Sequence, residues 1–303
     1  MSAQAFSQVE QLPPQLLIGA NGRRASPAIT SRLLARYATQ TLIEEAELTP
    51  KPALVDKRGS GAHDDLSLSL MVRSAQLLEP YFVQMAEAAF GAVASSELRR
   101  HLGQLGREAE RALLIATNGV NTHRGAIWAM GLLVAAASQE QNKNVQAICR
   151  RAGVLARIPD DYAGGMTTHG SRVTLKYGVG GARVEAQSGF PHILEAGLPA
   201  LWNSRRVGAS EIHARLDALL ATMATLGDTC LLHRGGPGAL NVAQAGAAHV
   251  LALGGCSTVA GYQALQHLHE ALMKLWASPG GSADLLAATL FLDRLSSSHG
   301  WYA

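Results

Sequence analysis

The stretch Gly125–Ser138, GAIWAMGLLVAAAS, is apolar on nearly every face a helix would present. A helix without a polar stripe has to be covered on all sides. Its longest apolar run, around Ala126–Ala137, falls short of the roughly 20 residues that cross a bilayer, so protein must do the covering. The rest of the chain supplies the partners. Ala28–Leu48 carries Ile29, Leu33, Leu34, Tyr37 and Leu42 at helical spacing, and Leu66–Phe90 continues it through Leu68, Leu70, Met71, Leu77 and Leu78, with Pro80 expected to mark a kink or boundary. Ser96–Thr117 sets Leu98, Leu102, Leu105, Ala109 and Leu113 against Arg99, Arg100, Arg107, Glu108 and Arg111. Asn142–Ala156, Phe190–Trp202, Ser210–Leu226 behind an N-cap at Ser210, Leu240–Leu253, Ser257–Trp276 and Ser282–Leu295 follow. Pro159–Gly181 is mixed, with a short helical piece expected after His169; no β-branched alternation stands out, and VTLKYGV near Val173 comes nearest to a strand. The expectation is an all-α fold of about ten helices in a single domain over residues 28–303, preceded by a flexible arm at 1–27 punctuated by Pro13, Pro14 and Pro27. Met130, Trp128 and Trp276 read as core.

Charge excludes some functions. A net charge of +3 with no run of Lys or Arg gives no footprint for nucleic acid. Three cysteines, Cys149, Cys230 and Cys256, stand far apart without CxxC spacing. They read as reduced thiols of a cytoplasmic protein, with neither a disulfide framework nor a zinc site. The first residues lack a basic start followed by an apolar core, so no signal peptide and no membrane segment is expected.

The polar residues gather at the breaks between helices. The densest break, Glu44–Asp65, holds Glu44, Glu45, Glu47, Asp56, Asp64 and Asp65 with Lys51, Lys57, Arg58 and His63, interrupted by Pro50, Pro52, Gly59 and Gly61. The second, Asn118–Ala126, offers Asn121, Thr122, His123 and Arg124, with Thr122 placed to cap the next helix and the free N–H groups there suited to an anion. The third, Thr168–Pro191, sets His169, Arg172, Lys176, Arg183 and Glu185 among glycines, without a P-loop or dinucleotide fingerprint. The fourth is Gly227–Leu240, with Asp228, His233 and Arg234. In the fifth, Ser278–Leu292, Pro279-Gly280-Gly281 forms a turn, Ser282 caps and Asp284 lies in the first helical turn. Each alone reads equally well as an ordinary turn, solvated loop or dipole-compensating acid. Together the acids suit a hard cation and the bases suit phosphate, and the breaks are expected to form one central pocket.

These breaks resemble a family. PKPALVD at Pro50–Asp56, GAHDD at Gly61–Asp65, GVNTHRGAI at Gly119–Ile127, GARVEA ending at Ala186, GFP at Gly189–Pro191, RGG at Arg234–Gly236 and SPGGSADLLA at Ser278–Ala287 are similar to triphosphoribosyl-dephospho-coenzyme A synthases, in order over roughly 30–295. RGSGAHDDLSLSLMVRSA looks more like the malonate decarboxylase-associated branch than the citrate lyase one. The chain departs from the family pattern at Ala53, Arg124, Val184 and Ser67, which replace a glycine, a lysine, a glycine and an acid.

The resemblance implies an all-α enzyme that transfers the 5-triphosphoribosyl unit of ATP to the 2′-hydroxyl of 3′-dephospho-coenzyme A, releasing adenine. The product would pass to a transferase acting on an acyl carrier protein. It implies Mg²⁺ and catalytic roles among Asp65, His63, His123, Glu44 and Asp56. Substrate and phosphate contacts fall to Lys51, Asn121, Thr122, Arg124, His169, Arg183, Arg234, Gly280, Gly281 and Ser282. Metal ligands come from Glu44, Asp56, Asp65, Glu185 and Asp284. A homodimer is allowed for. Two rival readings use the same residues: a Mg-dependent N-glycosidase or ADP-ribosyl hydrolase, and a non-catalytic carrier of dephospho-coenzyme A.

Overall fold

The central helix is where the apolar run placed it. In the computed structural model, which describes residues 27–140, 144–160 and 169–297, α4 (Arg124–Gln139) is buried from Ala129 to Ser138 without interruption. Around it pack α1 (Pro27–Glu47), α2 (Leu68–Ala89), α3 (Ser96–Ala116) and α5 (Val145–Arg157). Two short helices follow, α6 (His169–Tyr177) and α7 (Gly181–Gln187); then a π-helical turn, Ile193–Gly197, runs into α8 (Leu198–Arg206). The remaining helices, α9 (Glu211–Thr225), α10 (Thr229–Ala252) and α11 (Val259–Lys274), build a second apolar cluster. The last, α12 (Gly280–Ser297), belongs to both, giving Phe291 and Leu292 to the first and Leu286 and Leu290 to the second. Among the described residues there are twelve α-helices and no strand, only an isolated bridge between Asp56 and Gly59. The expected arm lies outside the described residues except for Pro27, which opens α1.

Two local expectations are corrected, at Gly227–Leu240 and at Ser282. The short helical piece expected after His169 is α6, and Val173 lies in it, where nine residues make two and a half turns. The Gly227–Leu240 break is mostly helix, because Gly236 confines the irregularity to one residue (φ 65°, ψ −164°) and Pro237 restarts the helix behind it. α2 runs through Pro80, which is therefore not a helix boundary. α12 begins at Gly280 rather than after a Ser282 cap. Ser210 does cap α9, and Ser67, which stands where the family has an acid, caps α2 by accepting from the Leu70 N–H. Of the three residues expected in the core, Met130 and Trp128 pack there, whereas Trp276 is half exposed.

Candidate active site

The Leu48–Ser67 connection between α1 and α2 is not a solvated loop. Lys51 through Asp56 are all buried. Asp56 holds the turn: its carboxylate accepts from the Lys51 N–H (2.9 Å), the Arg58 N–H (2.8 Å) and the Arg58 guanidinium. Ala53 takes the left-handed backbone (φ 54°) that the family's glycine adopts at no steric cost. His269 of α11 accepts the Ala53 N–H, fixing the turn to the second core cluster.

Folded this way, the connection delivers two side chains inward. Lys51, 2% exposed, reaches back to α1 and donates to the Glu45 carboxylate and carbonyl, both at 2.5 Å. His63 sits between Arg234 of α10, whose Nη2 is 2.9 Å from Nδ1, and Ser278, whose Oγ is 2.7 Å from Nε2. Arginine only donates, so Nδ1 carries the lone pair and Nε2 the proton. Burial first, and then Arg234, lower the pKa of His63 to about 4 against the pull of Asp65 and Asp64, which keeps the ring neutral.

The N-termini of α4, α10 and α12 meet the same place. His123 occupies the N-cap position of α4, buried, with Nε2 donating to the Met71 carbonyl (3.0 Å). Burial lowers its pKa too, with Glu45 and Lys51 close enough to act on it in opposite directions. Asp228 caps α10 through the Cys230 N–H and at the same time accepts from the Gly281 N–H, Ser282 N–H and Ser282 Oγ at the start of α12. One buried carboxylate therefore locks two helix ends together. Asp284, one turn into α12, lies over the bare backbone of Gly125 in α4; a methyl on Gly125 would overlap its Oδ2. No hydrogen-bond or ion-pair partner meets Asp284 among the described residues, and it is raised well above the ordinary carboxylate range by burial, then by Glu45, then by Asp228.

The structure thus brings Lys51, His63, His123, Arg234, Gly280, Gly281, Ser282 and Asp284 into one region, with Asp65 at its exposed rim 3.7 Å from His63. It places the others elsewhere. Glu44 faces Arg294 (2.6 Å) and Arg215 (3.2 Å). Glu185 closes its own turn on His192. Arg124 pairs with Glu110 of α3, and Asn121 and Thr122 line a small hollow there. Arg183 lies near Arg99. The side chain of His169 lies outside the described residues, as do Thr167 and Thr168. The N–H groups of Gly281 and Ser282, expected to bind phosphate, are occupied by Asp228.

A sequence profile of the ATP:dephospho-CoA triphosphoribosyl transferase family (CitG) matches residues 31–302. The chain belongs to that family. It is a transferase of this class, and its relatives agree along nearly their whole length. A protein of Stutzerimonas stutzeri named as a probable 2-(5''-triphosphoribosyl)-3'-dephosphocoenzyme-A synthase is 55% identical over 90% of this chain and 94% of its own. A synthase of the same name from Klebsiella pneumoniae is 53% identical over 87% and 94%. No solved structure matches.

Two site residues escaped the sequence reading. Glu45, not its neighbour Glu44, faces the cluster. The signal was there: Leu34, Ala38 and Leu42 put position 45 on the buried stripe, while Tyr37, Gln40 and Glu44 form the face that meets Arg294. Ser278, the partner of His63, had no sequence signal beyond its place before a glycine pair.

Proposed function

We propose that the chain transfers the 5-triphosphoribosyl unit of ATP to the 2′-hydroxyl of 3′-dephospho-coenzyme A with release of adenine. The observation that carries this reading is Asp284: a carboxyl with no basic partner among the described residues, beside Glu45 and Asp228, where four chain segments converge. Breaking a C1′–N bond in a nucleotide creates positive charge on the ribosyl carbon and negative charge on the departing purine. The Glu45 carboxylate, held by Lys51, suits the first; Asp284, whose upward shift favours its protonated form, suits the second. The lone pair on Nδ1 of neutral His123 is the candidate acceptor for the proton of the attacking hydroxyl. His63 is tied by Arg234 and Ser278 and is assigned to orienting them.

The residues present do not fit a resident Mg²⁺. Of the five carboxylates expected to hold it, Glu44, Asp56 and Glu185 are engaged by arginine, histidine or backbone, and no group of three His, Cys, Asp or Glu among the described residues is arranged to hold a metal. Mg²⁺ is proposed only as the counter-ion that the triphosphate itself brings, and no step is assigned to it.

The likeness of the 58–75 stretch supports a place in supplying the acyl carrier subunit of malonate decarboxylase, with citrate lyase as the alternative client. No described helix is long and apolar enough to cross a membrane, and free thiols at Cys149, Cys230 and Cys256 support a cytoplasmic location. Mass spectrometry of a reaction with ATP and dephospho-coenzyme A tests the chemistry: the triphosphoribosyl adduct and adenine should appear together. Adenine released without the acceptor would instead identify a hydrolase. Presenting the product to a carrier-loading transferase with each client's acyl carrier tests the branch.

A further inference from the structure

The proposed reaction unites two polyphosphates, and the acidic end of the site is poorly equipped to hold either. Its cations are engaged, Lys51 by Glu45 and Arg234 by His63 and the Ala62 carbonyl, while Asp228 and Asp284 offer phosphate no positive charge. Arginines that outnumber the carboxylates pairing with them among the described residues lie one turn further along α4. Gly125, under Asp284, and Trp128 are three residues apart, so they share a face and differ by about 4.5 Å of rise. The Trp128 indole donates to the Ala182 carbonyl of α7 (3.1 Å), which pins Arg183 beside it, and the Arg99 guanidinium of α3 lies 5.1 Å from the ring centroid.

Three arginines meet there, and among the described residues one carboxylate, Asp160, bonds two of them. Asp160 accepts from Arg107 (2.7 Å) and Arg99 (3.4 Å). Arg183 is near enough to Arg99 to disfavour its charge, and no carboxylate pairs with Arg183 among the described residues. Arg99 is 6% exposed, yet its Nε–H has no hydrogen-bond partner. A buried guanidinium left short of an acceptor, with like charges around it, is a site that an anion completes.

We propose that Arg99, Arg107 and Arg183, walled by Trp128, seat a nucleotide polyphosphate, and that its source is the triphosphate of ATP. The reacting carbon and the 5′-oxygen lie on opposite sides of one ribose, so a sugar placed by Asp284 sends its triphosphate toward this face. The choice of ATP rests on the reaction proposed above; the anion site does not.

The test uses inorganic tripolyphosphate, titrated calorimetrically into the full chain at low salt. Arg183→Ala and Arg107→Ala should each weaken binding about tenfold or more, with partial recovery in Arg183→Lys. Arg151→Ala, on an exposed cation of α5, should not change it. Equal affinity in wild type, Arg183→Ala and Arg107→Ala overturns the site. In turnover, Arg183→Ala should raise KM for ATP about tenfold and leave that for dephospho-coenzyme A unchanged; a rise confined to dephospho-coenzyme A overturns the assignment to ATP. Arginine-dependent tripolyphosphate binding by a protein that forms no product would keep the site and remove the reaction. Product formation with arginine-independent binding would do the reverse.

Discussion

The Leu48–Ser67 connection and the Gly178–His192 segment both set positive-φ glycines among charges of both signs, yet they use those charges differently. In the first, Asp56 satisfies the local backbone and thereby frees Lys51 and His63 to reach other elements. In the second, Glu185 accepts both the His192 N–H (3.0 Å) and its Nδ1 (2.6 Å), and the acid–base pair closes on itself. The difference teaches that charge density does not mark a site. What separates these two regions is that Lys51 and His63 find their partners on other elements, whereas Glu185 finds its partner within its own turn.

Glycine substitutions should break the likeness most sharply. Gly61 and Gly178 both have positive φ, 60° and 69°. A methyl on Gly61 would lie 2.4 Å from the Ala53 carbonyl oxygen and 2.6 Å from Leu54 backbone, neither of which can yield, whereas nothing lies within 4 Å of the same methyl on Gly178. Gly61→Ala should cost about 4 kcal/mol or prevent folding, and Gly178→Ala about 1 kcal/mol. Urea unfolding checks both; equal losses would refute the distinction.

The carboxylates come next. Glu45→Gln removes half of a buried ion pair and leaves Lys51 at 2% exposure without a counter-charge, so a loss of about 3–5 kcal/mol is expected, together with activity. Glu185→Gln keeps an acceptor for the His192 N–H, and His192 is a quarter exposed, so about 1–2 kcal/mol should suffice. Lys51→Met in the Glu45→Gln background should recover part of the first loss but none of the activity.

The two histidines then give opposite pH slopes. Burial and Arg234 hold His63 down to about 4, so its contribution is complete above the ordinary imidazole value of about 6.5 and is lost as pH falls toward and through 4. The hydrogen bond to Glu185 raises His192 against the cost of burial, with the Thr225 carbonyl helping. Its contribution is complete below about 6.5 and is lost as pH rises through the folded value. The stability gap between wild type and His63→Gln should therefore close on acidification, and that for His192→Gln on moving above neutrality. Parallel slopes would mean that the turns are electrostatically equivalent.

Much of this was legible in the sequence, and the rest was hidden for physical reasons. Apolar spacing gave the long helices because each buries one stripe, and it gave α4 because it has no other face. It gave α6 only as a short helical piece beside a near-strand, because nine residues with Val173, Leu175 and Tyr177 satisfy helix and strand patterns alike. It read RGGPG as a break because composition does not reveal that a single positive-φ glycine absorbs the whole irregularity. At the site, the breaks named His63, His123, Arg234 and Asp284, but which acids bind their own loop, as Asp56 and Glu185 do, depends on turns a few residues away that only the folded backbone fixes.

The smallest expected effect tests where the first region begins. Glu44 and Glu45 are adjacent, but a helix turns by about 100° between them, and their partners differ accordingly. Glu44 shares two partly exposed arginines, Arg294 and Arg215, the latter also held by Glu211. Such pairs contribute about 0–1 kcal/mol each and are screened by salt. Glu44→Gln should thus cost at most about 1 kcal/mol, with a loss that shrinks in 0.5 M salt, and should leave kcat and both KM values unchanged. If Glu44→Gln instead abolished turnover while Glu45→Gln did not, the inward face of α1 would be the one that carries Tyr37 and Gln40, and the cluster built on Lys51 would be structural only.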